Sequence, residues 1–155
     1  MRLALKNILI TGAASGIGLA TAVRCLQEGA RVALADVPTS AGAERVADLA
    51  LMYPGRCIFV PVDVRSSAEV NQMVDRTVQT FGRLDGVFNN AGVGTGGLVW
   101  ENTVKDWEWV LGVNLMSVIW GIEIFGPLIE AHGEGGQVVS TASVANRELA
   151  PPVET

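Results

Sequence analysis

Five short apolar runs alternate with stretches of helical periodicity along this chain, and that alternation restricts its architecture more than any other feature. Asn7–Thr11, Arg31–Ala35, Cys57–Val62, Leu84–Asn89 and Gln137–Thr141 are rich in β-branched and aliphatic side chains and read as short buried strands. Between them, Gly16–Glu28, Ser40–Met52, Ser67–Phe81 and Thr103–Ala131 carry helical spacing. In the third of these, Val70, Met73, Val74, Thr77, Val78 and Phe81 recur at i, i+3 and i+4, while Glu69, Asp75, Arg76 and Gln79 take the opposite face. That pattern describes a surface helix lying on a sheet. Alternation of this kind predicts an α/β fold, a doubly wound parallel sheet with right-handed crossovers and a ligand crevice at the carboxyl ends of the strands. No linker interrupts the pattern, so one domain over residues 1–155 is expected.

Composition removes several classes of partner. The chain is 49% apolar and 17% charged with a net charge of −5, which excludes disorder. Its 11 Lys+Arg against 16 Asp+Glu lack the basic footprint of a nucleic-acid binder. Cys25 and Cys57 have no zinc-type spacing and lie in apolar runs, as expected of reduced thiols in a cytoplasmic protein with no metal site. Arg2 and Lys6 precede an apolar stretch that resembles a signal peptide, but Thr11, Gly12, Ser15 and Gly16 interrupt it. Trp109–Ile129 is long enough to cross a bilayer, yet it contains Asn114, Ser117, Glu123 and Gly126-Pro127. A carboxylate in hydrocarbon costs roughly 2.5 kcal/mol or more, so a helix buried in protein is the better expectation.

The first turn carries chemistry. The strand ending at Ile10 is followed by Thr11-Gly12-Ala13-Ala14-Ser15-Gly16-Ile17-Gly18 and then by a helix. Glycines between a strand and a helix permit a tight turn, bring backbone N–H groups close to a pyrophosphate, and place that anion at a helix N-terminus. The spacing is Gly-x-x-x-Gly-x-Gly, and a glycine triplet alone is weak evidence; its position raises its weight. Asp36 ends the second strand, where a carboxylate accepts hydrogen bonds from ribose hydroxyls and repels a 2′-phosphate. Neither Ala14 nor Val37 supplies a cation for such a phosphate, so NAD is expected rather than NADP.

These residues together resemble the short-chain dehydrogenase/reductase family over essentially the whole chain. Thr11 to Gly18 is similar to its cofactor turn, with Gly12, Ser15, Gly16, Ile17 and Gly18 in place, and Asp36 stands where its ribose-binding acid does. Asp63-Val64 is similar to the pair that contacts adenine. Asn89-Asn90-Ala91-Gly92 matches the family signature in which the second Asn, Asn90, steadies the sheet and Gly92 passes beside the cofactor, flanked by Ala91. Asn114 matches the tetrad Asn, implied to hold a water in a proton relay, and Ser143 the Ser that orients the substrate oxygen. Plainer readings exist: Asp63 and Asn89 also suit strand-end turns, and Ser143 stands among Ser140 and Thr141. Asn114, in an otherwise apolar helix, needs hydrogen-bond partners of some kind. The lone His132 precedes Gly133 at a helix end, where the last carbonyls are its expected partners.

The resemblance implies a Rossmann-like fold, bound NAD, and hydride transfer with a small-molecule alcohol or carbonyl substrate. It also implies a tyrosine about 13 positions after the serine as general acid/base, with a lysine four residues beyond it. That count from Ser143 passes Thr155, and the only tyrosine is Tyr53, in a different element. The expectation is therefore a cofactor-binding portion with its sheet incomplete at the C-terminal side, belonging to a longer, homo-oligomeric enzyme and inactive by itself. A catalytically inactive NAD-binding or regulatory short form is the alternative.

Overall fold

The computed structural model describes residues 1–142. Five strands, β1 (Asn7–Thr11), β2 (Arg31–Asp36), β3 (Cys57–Pro61), β4 (Gly86–Asn89) and β5 (Gln137–Ser140), form one sheet in the order β3-β2-β1-β4-β5. All neighbours are parallel, with Asn7–Thr11 against Arg31–Ala35 and Ile8–Ile10 against Gly86–Phe88. The chain winds outward from β1 through β2 and β3, then returns to β4 on the other side of β1. This reversal is the topological switch point at which a crevice opens beyond the strand ends.

The helices are α1 (Gly16–Gln27), α2 (Gly42–Met52), α3 (Ser67–Phe81), α4 (Val104–Leu111) and α5 (Ser117–Ala131). Alternate strand residues divide the core between the two faces of the sheet. Ile10, Val32 and Leu34 pack with Ala22, Cys25, Leu26 and Leu49 of α1 and α2. Leu9, Ala33, Ala35, Val60 and Val87 pack with Val70, Met73, Val74 and Phe81 of α3 and with Phe125 and Ile129 of α5. Phe125 is fully buried, a burial that contributes about 1.5–3 kcal/mol. Both cysteines are buried free thiols, and burial pushes their pKa values up.

Several local details depart from the periodicity. β4 starts at Gly86, and just before it Asp85 turns its carboxylate onto the Asn7 N–H of β1, at 2.9 Å. α2 starts at Gly42, whose N–H donates to Ser40 Oγ at 3.3 Å. Thr103–Ala131 is continuous helix from Val104, but Gly112–Met116 forms a π-helical turn between α4 and α5. The segment is long and apolar enough to span a bilayer by length and composition alone. Here Val113, Ser117, Gly121, Phe125 and Ile129, four residues apart, form its buried stripe. β5 differs from the buried strand expected, since all four of its residues are exposed. His132 does not serve the last helical carbonyls. It accepts the Glu134 N–H on Nδ1, so Nε2 carries the proton and donates to Leu84 O at 3.1 Å.

Candidate functional site

The turn from β1 into α1 lies at the switch point. Gly12 has φ +64, and a Cβ there would lie 2.9 Å from Ala91 Cα, so both conformation and space require glycine. A Cβ on Gly18 would come within 2.2 Å of the Gly12 carbonyl oxygen, so this residue lets helix and turn pack together. Ser15 precedes α1 in extended conformation, and its side chain makes no capping bond. The first N–H groups of α1 therefore remain available at the positive end of the helix dipole.

Four side-chain clamps arrange the surrounding strand ends. Asp36 accepts the Ala14 N–H on Oδ2 at 2.9 Å and the Val37 N–H on Oδ1 at 2.8 Å. Thr11 Oγ1 accepts N–H groups from Asn90 and Ala91 at 3.0 and 3.1 Å. In return, Asn90 Nδ2 donates to the carbonyls of Thr11 and Gly12 at 3.1 and 3.3 Å. This ties β4 to β1, where the signature implied a sheet-steadying role for Asn90. Asp63 is held by Arg65, whose hydrogen bonds keep the carboxyl below its ordinary pKa against the opposing push of burial. Asn114, in the π-helical turn, accepts the Val93 N–H and donates to the Val93 carbonyl, both at 2.8 Å. Asn114 is exposed, and these two bonds supply partners without burying it.

A cavity of about 630 Å³ joins these pieces, within the size range of small-molecule and cofactor sites. Gly12, Ser15, Gly16 and Ile17 line it from the turn, Asp36 from β2, Asp63 and Val64 from beyond β3, and Asn90, Ala91 and Gly92 from beyond β4. Gly18 is beneath the turn rather than on the wall, and Asn114 stands just outside, its Oδ1 3.7 Å from where a Gly92 Cβ would be. Ser143 lies outside the described residues. Val62, Arg65, Val93, Trp109 and Val113 also line the wall, although no motif in the sequence marks them for it. Val62 and Val93 adjoin recognised motifs, but Trp109 reaches the cavity only through the packing of α4, for which no local pattern exists.

A parallel doubly wound sheet with a glycine turn, a helix N-terminus and an acidic β2 end around one cleft defines a Rossmann-like α/β protein. The family model for short chain dehydrogenase matches residues 6–153, and the chain belongs to that family. It is 40% identical over 144 residues to a 3beta-hydroxysteroid dehydrogenase 2 of Eggerthella lenta, covering 92% of this chain and 55% of that protein. It is 38% identical over 143 residues to the 15-hydroxyprostaglandin dehydrogenase [NAD(+)] of Homo sapiens, covering 90% of this chain and 51% of that one. A crystal structure of a short chain dehydrogenase/reductase from Burkholderia phymatum in complex with NAD superposes with a TM-score of 0.88 at 40% identity, covering 93% of this chain and 51% of that one. The chain spans about half the length of the curated relatives it matches.

Proposed function

We propose that the protein is an NAD-dependent oxidoreductase acting on a carbonyl or alcohol carbon of a small molecule, with residues 1–155 carrying the cofactor site. The observation that carries this reading is Asp36. Two backbone N–H groups fix its carboxylate at the edge of a cavity whose adjoining wall is the glycine turn and the α1 N-terminus. NAD, when bound, supplies hydride chemistry that no side chain provides. The backbone from Gly12 to Gly18 would hold its pyrophosphate and Asp36 the adenosine ribose, with Asp63 and Val64 at the base and Asn90, Ala91 and Gly92 along the nicotinamide half. A negative Asp36, with no cation at Ala14 or Val37, favours NAD over NADP. The relative named for NAD(+) and the neighbour holding NAD support the same choice.

Two catalytic roles follow from the family motifs. Asn114 spends one donor and one acceptor on Val93, which leaves its carboxamide capacity to hold a relay water. Ser143 would orient the substrate oxygen. Tyr53 cannot be the acid/base: it ends α2, with its ring 4.9 Å from the Arg56 guanidinium carbon, away from the cavity wall. Residues 1–155 by themselves are therefore expected to bind NAD without turnover.

Calorimetric titration of the intact protein tests the cofactor assignment. Asp36→Ala should weaken NAD binding about tenfold or more, the order expected for losing hydrogen bonds to a charged acceptor. Asp36→Ala combined with Val37→Arg should move preference toward NADP. A double variant that still strongly favours NAD refutes Asp36 as the selector.

A further inference from the structure

We propose that Arg65 is a positioning residue for the base-binding end of the cleft, orienting the Asp63 carboxylate so that it selects a base bearing an exocyclic amine. This rests on the dinucleotide reading above. In the sheet, Asp36 pairs with Pro61, so the chain next to the ribose position is Val62-Asp63-Val64-Arg65. Val62, Val64, Trp109 and Val113 make that end of the cavity apolar, which suits a planar base, and Asp63 is the acceptor among them.

Arg65 fixes that acceptor. Its backbone N–H and its Nε each reach Asp63 Oδ1 at 3.0 Å, Nε is also 3.1 Å from Oδ2, and Nη2 donates to Oδ2. These are three N–H groups against about four lone-pair directions: the backbone N–H and the Nε–H, nearer to Oδ1, occupy that oxygen, Nη2 takes one direction of Oδ2, and the direction left for a base is on Oδ2. The planar fork sets the carboxylate plane as well as its charge, which an ammonium group cannot do.

Gly112 makes this possible. A Cβ there would lie 3.2 Å from Arg65 Cγ and 3.4 Å from Cδ, so the missing side chain is the space through which the arginine stem folds back. Gly112 has ordinary right-handed helical angles, so nothing in its conformation asks for glycine. Its neighbour does. The pair is also poorly placed to act as a stability device, because the Arg65 side chain is 48% exposed and exposed ion pairs contribute little.

The test compares NAD with nicotinamide hypoxanthine dinucleotide, in which oxygen replaces the amine on the base, by measuring both dissociation constants for the intact protein. The wild type should prefer NAD by about tenfold or more, as for a charged hydrogen bond gained or lost. Arg65→Met, which keeps the stem length and removes the fork, should bring the two constants to within about twofold of each other, mainly through weaker NAD binding. Arg65→Lys should restore part of the preference. Gly112→Ala should lower it by displacing the stem, although alanine favours the helix. Undiminished preference in Arg65→Met overturns the proposal, as does equal binding of both dinucleotides by the wild type, which leaves the cofactor reading intact. If the wild type binds neither, the cofactor reading itself fails.

Discussion

At the end of the sheet opposite the cleft, the Asp85 side chain is only 2% exposed and carries three donors. Asn7 N–H reaches Oδ2 at 2.9 Å, while Lys6 Nζ and Arg83 Nη2 reach Oδ1 at 3.3 and 2.9 Å. Burial pushes its pKa up, but the Asn7 N–H and the two cations outweigh it, and the result lies below the ordinary 3.8. A carboxyl whose folded pKa is depressed stabilises the fold above its unfolded value, and that contribution disappears as pH falls through the folded value. Asp85→Asn should therefore cost roughly 2–3 kcal/mol at neutral pH, since it leaves buried donors poorly matched and removes the anion that Lys6 and Arg83 share, Arg83 keeping only Glu134 at 2.8 Å. Denaturant titrations of both proteins across pH should show that gap intact above about pH 5 and closing in more acidic solution. A gap independent of pH would mean that lost packing, not charge, sets the cost. Asp85 was not legible in the sequence, because a carboxylate beside an apolar run looks like any strand-end turn. Its partners come from the start of β1 and the loop after α3. Asp36 was legible as a strand-end carboxylate because its position at the close of β2, not a distant partner, defines its place.

α3 connects element formation to the cleft. Ser66 Oγ accepts the Glu69 N–H at 3.3 Å, a cap that satisfies one of the free donors of the first turn. Glu69 Oε2 in turn accepts the Asp63 N–H at 2.8 Å, so the helix start holds the strand end that lines the cavity. Ser66→Ala is expected to lower stability by about 1 kcal/mol, read as a lower urea midpoint with an unchanged slope. Glu69→Ala should loosen the Asp63 loop as well, seen as faster exchange of the Asp63 amide; protection equal to wild type would show that contacts other than Glu69 hold the loop. The bounds of α3 agree residue for residue with its spacing because its apolar stripe is complete and its N-cap is local. The π-helical turn at Gly112–Met116 was not legible, for the opposite reason. Gly-Val-Asn-Leu-Met keeps ordinary helical periodicity, and the bonds from Asn114 that accompany the turn reach Val93, 21 residues away.

Across the whole molecule, the strand and helix alternation predicts a parallel doubly wound sheet, but not how evenly it is protected. β1 occupies the middle of the order β3-β2-β1-β4-β5, with a ladder on each side and Leu9 and Ile10 fully buried on opposite faces. Among the described residues β5 ladders only to β4, and Val138 and Val139 are exposed although their apolar run suggests a covered strand. Runs of Val and Ile report what a strand can bury, whereas the neighbours on each face decide what it does bury. Free energies of local opening therefore grade across the sheet. Amide exchange should be slowest at β1 and β2, where opening requires global unfolding, and fastest among the strands at β5. Small additions of denaturant should accelerate exchange at Leu9 and Ile10 strongly, because their opening exposes most of the core, and leave β5 almost unchanged. Equal denaturant dependence at β1 and β5 would instead mean that the five strands open as one cooperative unit.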